Sequence, residues 1–275
     1  MADIKAADVA KLRKVTGAGM MDCKKALQET NGDFEKAIEE IRKKGKAIAN
    51  KRADRDATEG VVLAKTNADA TVGAMIILNC ETDFVAKNDE FVKFADAILD
   101  KALENNASDL EALKAIEMDG RTIGDHVTEQ TGVIGEKIDL SAYFNINAGF
   151  VVPYIHPGNK LATIVAFNQA ADIQIGKDVA MQIAAMSPVS IDKDDVPADV
   201  IEKELEIGRA QAREEGKPEA MLDKIAEGKL SKFFKDSTLM NQTFVKDGKI
   251  SVGEYLKGIN AGLKVEKFER YSLNN

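Results

Sequence analysis

Two cysteines and two histidines are all that the chain holds among 275 residues. Cys23 and Cys80 lie far apart in unlike contexts, which gives neither a disulfide framework nor a metal-ligand pair; both read as reduced and structural. Neither His126 nor His156 stands beside a serine or cysteine in a nucleophile-and-base arrangement. The sequence lacks a GxxxxGK[ST] loop, a strand followed by GxGxxG, and an HExxH helix, so the common phosphate, dinucleotide and zinc-hydrolase chemistries have no carrier. No cofactor and no catalytic residue is expected. Long apolar runs are missing too: nothing approaches the roughly 20 residues of a membrane span, and MADIKAADVAKLRK is charged and helical in pattern rather than a signal peptide. The cytosol is therefore the expected location, with no membrane contact.

What is present is charge, unevenly spread. Residues 1 to 55 carry 14 Lys+Arg against 9 Asp+Glu, a net of +5, and the remainder carries 24 against 37, a net of −13 within the total of −8. The pattern suggests a mobile basic module on an acidic body. An acidic body repels nucleic acid and phosphate, which speaks against direct binding of either.

Three short amphipathic patterns fill residues 1 to 41: Val9, Leu12 and Val15; Cys23, Ala26 and Leu27; and Phe34, Ala37, Ile38 and Ile41. Thr16-Gly17-Ala18-Gly19 and Asn31-Gly32-Asp33 separate them, with Asp33 a candidate N-cap. RKKGKAIANKRADR, residues 42 to 55, lacks a full apolar stripe and aromatic residues, so it reads as a solvated helix end and tether rather than a nucleic-acid arm.

The rest of the chain repeats itself. Gly60-Val61-Val62-Leu63-Ala64-Lys65 corresponds to Gly149-Phe150-Val151-Val152-Pro153-Tyr154, and AMIILN ending at Asn79 corresponds to TIVAFN ending at Asn168. Each copy continues into a helix, the first with the stripe Phe91, Phe94, Ala95, Ile98 and Leu99, the second with Val179, Ile183 and Met186. The first copy has two extra residues in the connection between strand and helix, CETDFVAKND; the second, QAADIQIGKD, has no counterpart of Asp83-Phe84. A charged helical pair interrupts the second copy at residues 187 to 228, opening near Pro197 and turning at Glu215-Gly216-Lys217-Pro218. Thr243 to Val245 and Val265 to Tyr271 read as closing strands.

The expected architecture is α+β: a three-helix domain with basic linker at 1 to 54, a first core subdomain at 55 to 140, a second at 141 to 186 and 229 to 275, and the hairpin at 187 to 228, either a solvated projection or a contact between two copies of the chain.

Two readings fit the connection. Phe84 stands seven residues before Phe91 and could extend that helix's stripe into the core, with Asp83 as cap; Lys87 and Asn88 would then fall on the buried face. A helix opening at Asn88 or Asp89 removes that conflict and leaves Phe84 outside.

NCETDFVAKN, together with LRKVTGAGMMDCKKAL at residues 12 to 27, resembles the two signature stretches of the elongation factor Ts family, guanine nucleotide exchange factors of translation elongation acting on the GTPase EF-Tu. Similarity continues through Ile134-Gly135-Glu136, the His156-Pro157-Gly158 turn, the hairpin and the last strand. The resemblance implies a ubiquitin-associated-like (UBA-like) helical domain, a two-lobed core and a dimerisation hairpin. It implies that Thr82, Asp83, Phe84 and Val85 enter the partner's G domain near its magnesium, with Leu12, Met20 and Met21 against a helix of that domain and Ile134, Gly135 and His156 as further contacts. Two departures stand out. Ile77 occupies a strand position where the family usually has Glu, from which altered packing is expected, and the family's C-terminal helical module has no counterpart after Phe268 to Asn275. A non-exchanging adaptor, which would have no need of Asp83-Phe84, is the alternative function.

Overall fold

The computed structural model describes residues 4 to 274. Three helices come first, α1 (Ala6–Thr16), α2 (Met20–Glu29) and α3 (Phe34–Arg52). Gly17, at φ 70°, ends α1, and Asp33 caps α3 by accepting from the Lys36 amide. Val9, Leu12, Cys23, Ala26, Leu27 and Ala37 form their core, as the three patterns require; Val15 is exposed instead of buried.

Next come β1 (Glu59–Thr66), β2 (Val72–Cys80), the single-turn α4 (Asp83–Ala86), α5 (Asp89–Asn105), α6 (Leu110–Ala115), β3 (Glu117–Met118), β4 (Arg121–Thr122), α7 (Ile123–Ile134) and β5 (Asp139–Asn147). The second half holds β6 (Phe150–Ile155), β7 (Leu161–Phe167), α8 (Ile173–Met186), α9 (Ala198–Glu214), α10 (Leu222–Ser237), β8 (Thr243–Phe244), β9 (Asp247–Ser251), α11 (Val252–Ile259) and β10 (Val265–Ser272).

The repeat is visible in the strand register. Val61 pairs with Leu78 in the first sheet, and their counterparts Phe150 and Phe167 pair in the second. Gly60 and Gly149 occupy equivalent tight sites: a Cβ would lie 2.3 Å from the Leu78 carbonyl oxygen at the first and 2.4 Å from that of Asn168 at the second. Each two-stranded unit gains a third antiparallel strand, giving orders β1-β2-β5 and β10-β7-β6.

The two sheets pack face to face and a helix covers each outer face. On β1 and β2, Val61, Leu63, Ala74, Ile76 and Leu78 meet α5, whereas Val62, Ala64, Met75 and Ile77 meet Val151, Ala162, Ile164 and Ala166 of the other sheet. Phe150, Val152, Val165 and Phe167 pack beneath α8. A strand covered on both faces must be apolar at every position, which is why AMIIL runs without the usual alternation. Ile77 is fully buried between the sheets, where a carboxylate would be stripped of water without a partner, so the position calls for an apolar side chain.

Four expectations need correction. Residues 42 to 55 are not a free tether: α3 continues to Arg52 and crosses α7 so closely that a Cβ on Gly132 would lie 2.3 Å from the Gly45 Cα. Arg42–Glu129 (3.4 Å) and Lys46–Asp125 (3.8 Å) flank that crossing, so part of the basic charge meets acidic side chains of the core. Second, the boundary placed between 140 and 141 falls inside β5, which is bonded to β2 from Asn147 back to Asp139. Third, α10 extends to Ser237, beyond residue 228; Gly208 lets α9 approach it, a Cβ there standing 3.1 Å from the Ala226 Cβ. Fourth, Met186 ends α8 exposed, outside its buried stripe. The molecule is α+β, with its helical unit docked on the first lobe.

Candidate functional site

The connection after β2 is built as a fixed projection. Cys80 closes the strand, fully buried, and its thiol donates to the Thr82 carbonyl at 3.2 Å. Burial first, and then the Glu136 charge, push that thiol up to about 12, so it stays protonated at neutral pH. The Thr82 amide and hydroxyl both donate to the Glu136 carboxylate, at 3.0 and 2.7 Å. The same hydroxyl accepts from the Val85 amide at 3.5 Å and so caps α4. Ala86 is buried and Val85 packs against the same core, anchoring the inner side of the turn.

The outer side of the turn carries Asp83 and Phe84. Asp83 accepts from Lys87 at 2.6 Å, and this bond chiefly holds its carboxyl below the ordinary aspartate range, with the Lys160 charge assisting. Phe84 is 83% exposed. Asn88 accepts from the Glu90 amide and opens α5 as a separate helix. Of the two readings of the spacing, the one that puts Phe84 inside the core fails: α4 and α5 are different helices, and the Asn88 cap turns the chain between them. Phe84 is thus presented to solvent on the outer side of a turn whose inner side is held by the core.

Glu81, one residue before the turn, accepts from the Lys137 amide at 2.6 Å and from the Arg52 guanidinium at 2.7 Å. The Lys137 amide is the main reason its carboxyl lies below the ordinary glutamate range, with Arg52 adding to the effect. Ile134, half-buried against the first core, and Gly135, the left-handed C-cap of α7 at φ 81°, lead directly into Glu136. The structure thus brings Ile134 and Gly135 to the foot of the turn that carries Thr82 to Val85.

His156 lies at the same end. It is exposed in the turn before β7, with Nδ1 3.1 Å from the Tyr154 hydroxyl. Two residues beyond that turn's Gly158, Lys160 reaches Glu59 at 2.7 Å, and Glu59 pairs in register with Cys80. The other histidine, His126, has its ring Nε2 2.6 Å from the Met118 carbonyl. Among the described residues no group of three His, Cys, Asp or Glu is placed to hold a metal ion, and no helix is long and apolar enough to cross a membrane.

Met20 and Met21, at the start of α2, are 60% and 75% exposed. Leu12 differs from its two companions: it is fully buried in the three-helix core and offers no surface to a partner. Its place in the signature stretch is explained by packing. Sequence reading singles out the stretches that hold Glu81 and Glu136 but gives neither a role in this site, and it leaves Arg52 out of the site altogether. Their charges resemble any solvated surface, and only the fold brings residues 29 and 54 positions apart into contact with the turn.

The sequence model of the family described as elongation factor TS matches residues 81–275. Elongation factor Ts of Amoebophilus asiaticus is 57% identical over 270 residues, covering 97% of this chain and 98% of that protein. The Christiangramia forsetii protein of the same name is 54% identical over 275 residues, covering 99% and 100%, and that of Porphyromonas gingivalis is 52% identical over 268 residues, covering 97% of each. The chain therefore belongs to the elongation factor Ts family, with the family's role in translation elongation as nucleotide exchange factor for EF-Tu.

Proposed function

We propose that this chain promotes release of GDP from EF-Tu by inserting Phe84 as a wedge beside the partner's nucleotide and magnesium, without carrying out a covalent reaction itself. The observation behind this reading is an aromatic ring 83% exposed on a turn whose backbone is bonded in place on its inner side. Magnesium keeps near-octahedral geometry at short oxygen distances, so a small displacement of the elements around it weakens both metal and nucleotide. A close-packed domain cannot admit a phenylalanine without such a displacement. Asp83, next to the ring, brings negative charge toward a site that already holds phosphates.

One ring is too little by itself. A thousandfold loss of nucleotide affinity needs about 4 kcal/mol of coupling, and burying a phenylalanine gives roughly 1.5 to 3 kcal/mol. Met20 and Met21 supply a soft apolar surface for the remainder, together with Ile134, Gly135 and His156 around the turn. Only affinity that is greater for the nucleotide-free partner shifts the exchange equilibrium.

In this reading the three helices form a UBA-like domain, and the protein works in the cytoplasm, where translation takes place. The hairpin α9–α10, with Ile207 and Met221 exposed, offers a face to a second copy of the chain.

Because coupling is reciprocal, GDP must weaken binding of this protein to EF-Tu by the same factor as this protein weakens GDP binding. Calorimetric titration into GDP-bound and nucleotide-free EF-Tu tests the reading: much tighter binding to the empty form is expected, and the gap narrows with Phe84→Ala. Equal affinities would overturn the proposal and favour the adaptor.

A further inference from the structure

An ion pair joins the segment before the wedge turn to the end of the three-helix unit. Arg52, the last residue of α3, donates through Nη1 to Glu81 Oε1 at 2.7 Å. The same oxygen accepts the Lys137 amide at 2.6 Å. Lys137 then reaches back through Nζ to the carbonyls of Ala53 and Arg55, at 2.8 and 2.9 Å. The end of α3, the residue before Thr82 and the turn after α7 therefore form a closed loop of charge-assisted bonds. Glu136, next to Lys137, holds Thr82 with both carboxylate oxygens. The guanidinium is 31% exposed and the carboxylate 15%, so water screens this pair less than a free surface pair.

Helix α3 is 19 residues long, about 28 Å at 1.5 Å per residue. It packs along α2, which carries Met20 and Met21, crosses α7 at Gly45 and Gly132, and ends on Glu81. Asp22, in the first turn of α2 with the methionines, pairs with Lys44 of α3 at 2.6 Å, so the stretch from Lys44 to Arg52, which includes the crossing at Gly45, links the methionine end of α2 to the foot of the wedge.

Resting on the wedge reading of Phe84, we propose that Arg52 and Glu81 are positioning residues for nucleotide exchange: their ion pair fixes the angle of the Asp83-Phe84 turn relative to α3, so that seating of the methionine surface and entry of the ring occur as one movement. Neither residue touches the nucleotide. Their effect belongs to the step after docking, because misplacing a group by about 1 Å can cost up to a hundredfold in rate while binding changes little.

The test is release of fluorescent GDP from EF-Tu at a series of factor concentrations, giving a maximal rate and a half-saturating concentration for each variant. Arg52→Ala and Glu81→Gln are each expected to lower the maximal rate about tenfold, with the half-saturating concentration within about twofold of wild type, and the double variant to be no slower than either single one. Arg52→Lys, which keeps the charge, recovers part of the loss. Glu81→Gln preserves shape and an acceptor for the Lys137 amide, so a thermal midpoint near wild type shows that the fold is intact. A wild-type maximal rate in either single variant, single losses that multiply in the double variant, or a loss confined to the half-saturating concentration would each overturn the proposal. Phe84→Ala in the same series separates the two readings: slow Phe84→Ala beside fast Arg52→Ala removes the positioning role alone, and fast Phe84→Ala removes the wedge with it.

Discussion

Removing the Phe84 ring should damage exchange and spare the fold, and the structure sets the size of both effects. The ring is 83% exposed, so Phe84→Ala removes almost no buried contact from the free protein, and its unfolding free energy should change by less than about 0.5 kcal/mol. The Thr82–Glu136 bonds, the Asp83–Lys87 pair and the Asn88 cap involve other atoms and persist. In the transition toward the nucleotide-free complex the lost burial amounts to roughly 1.5 to 3 kcal/mol, which lowers the maximal GDP release rate about 10- to 150-fold. Stopped-flow fluorescence with labelled GDP measures that rate, and urea unfolding of the free variant measures stability. A rate within twofold of wild type would refute the wedge. So would a stability loss of several kcal/mol, because it would mean that the ring serves its own core.

Further outcomes follow from neighbouring features. Met20→Ala with Met21→Ala should raise the half-saturating concentration several-fold without moving the thermal midpoint, since both side chains are largely exposed; a lowered midpoint would place them in the three-helix core. Gly132→Ala forces a Cβ to within 2.3 Å of the Gly45 Cα, and overpacking of this kind costs about 1 to 3 kcal/mol. Urea unfolding should show it, against a neutral or stabilising Gly228→Ala, where nothing lies within 4 Å. Glu81 should titrate below the ordinary glutamate value in a carbon-detected NMR experiment. Because its folded carboxyl is depressed, its contribution to stability is present above the ordinary glutamate range and is lost as pH falls through the lowered value. Titration at or above the ordinary value would mean that the bonds from Lys137 and Arg52 are absent in solution.

The repeat, with its conserved spacing between strands, carried most of the architecture in the sequence, because a two-sheet sandwich demands apolar residues at the same places in both copies. What escaped was local and lay outside the repeat. Strand β5, DLSAYFNIN, alternates, with apolar Leu140, Ala142, Phe144 and Ile146, but it has no counterpart in the repeated units, and the boundary at 140 cut through it. Helix α7, IGDHVTEQTGVI, contains β-branched residues and glycine that lower helix propensity; its Thr122 cap and Gly135 terminus hold it in place. The basic run at 42 to 55 looked like a tether because its partners, Glu81, Asp125 and Glu129, are distant in sequence. Exposure of Phe84 was half legible: spacing left two positions for the ring, and the Asn88 cap decided between them. Leu12 shows the converse, a residue of a signature stretch whose burial identifies it as packing.

The most direct measurement concerns the ring's surroundings. The chain contains no tryptophan, so Phe84→Trp, labelled with 5-fluorotryptophan, gives a single fluorine resonance from this protein whatever the partner contains. The account predicts a solvent-accessible resonance in the free protein, a shifted and solvent-protected one with nucleotide-free EF-Tu, and return to the first on addition of excess GDP. A resonance that stays solvent-accessible while the complex forms and exchange proceeds would contradict it.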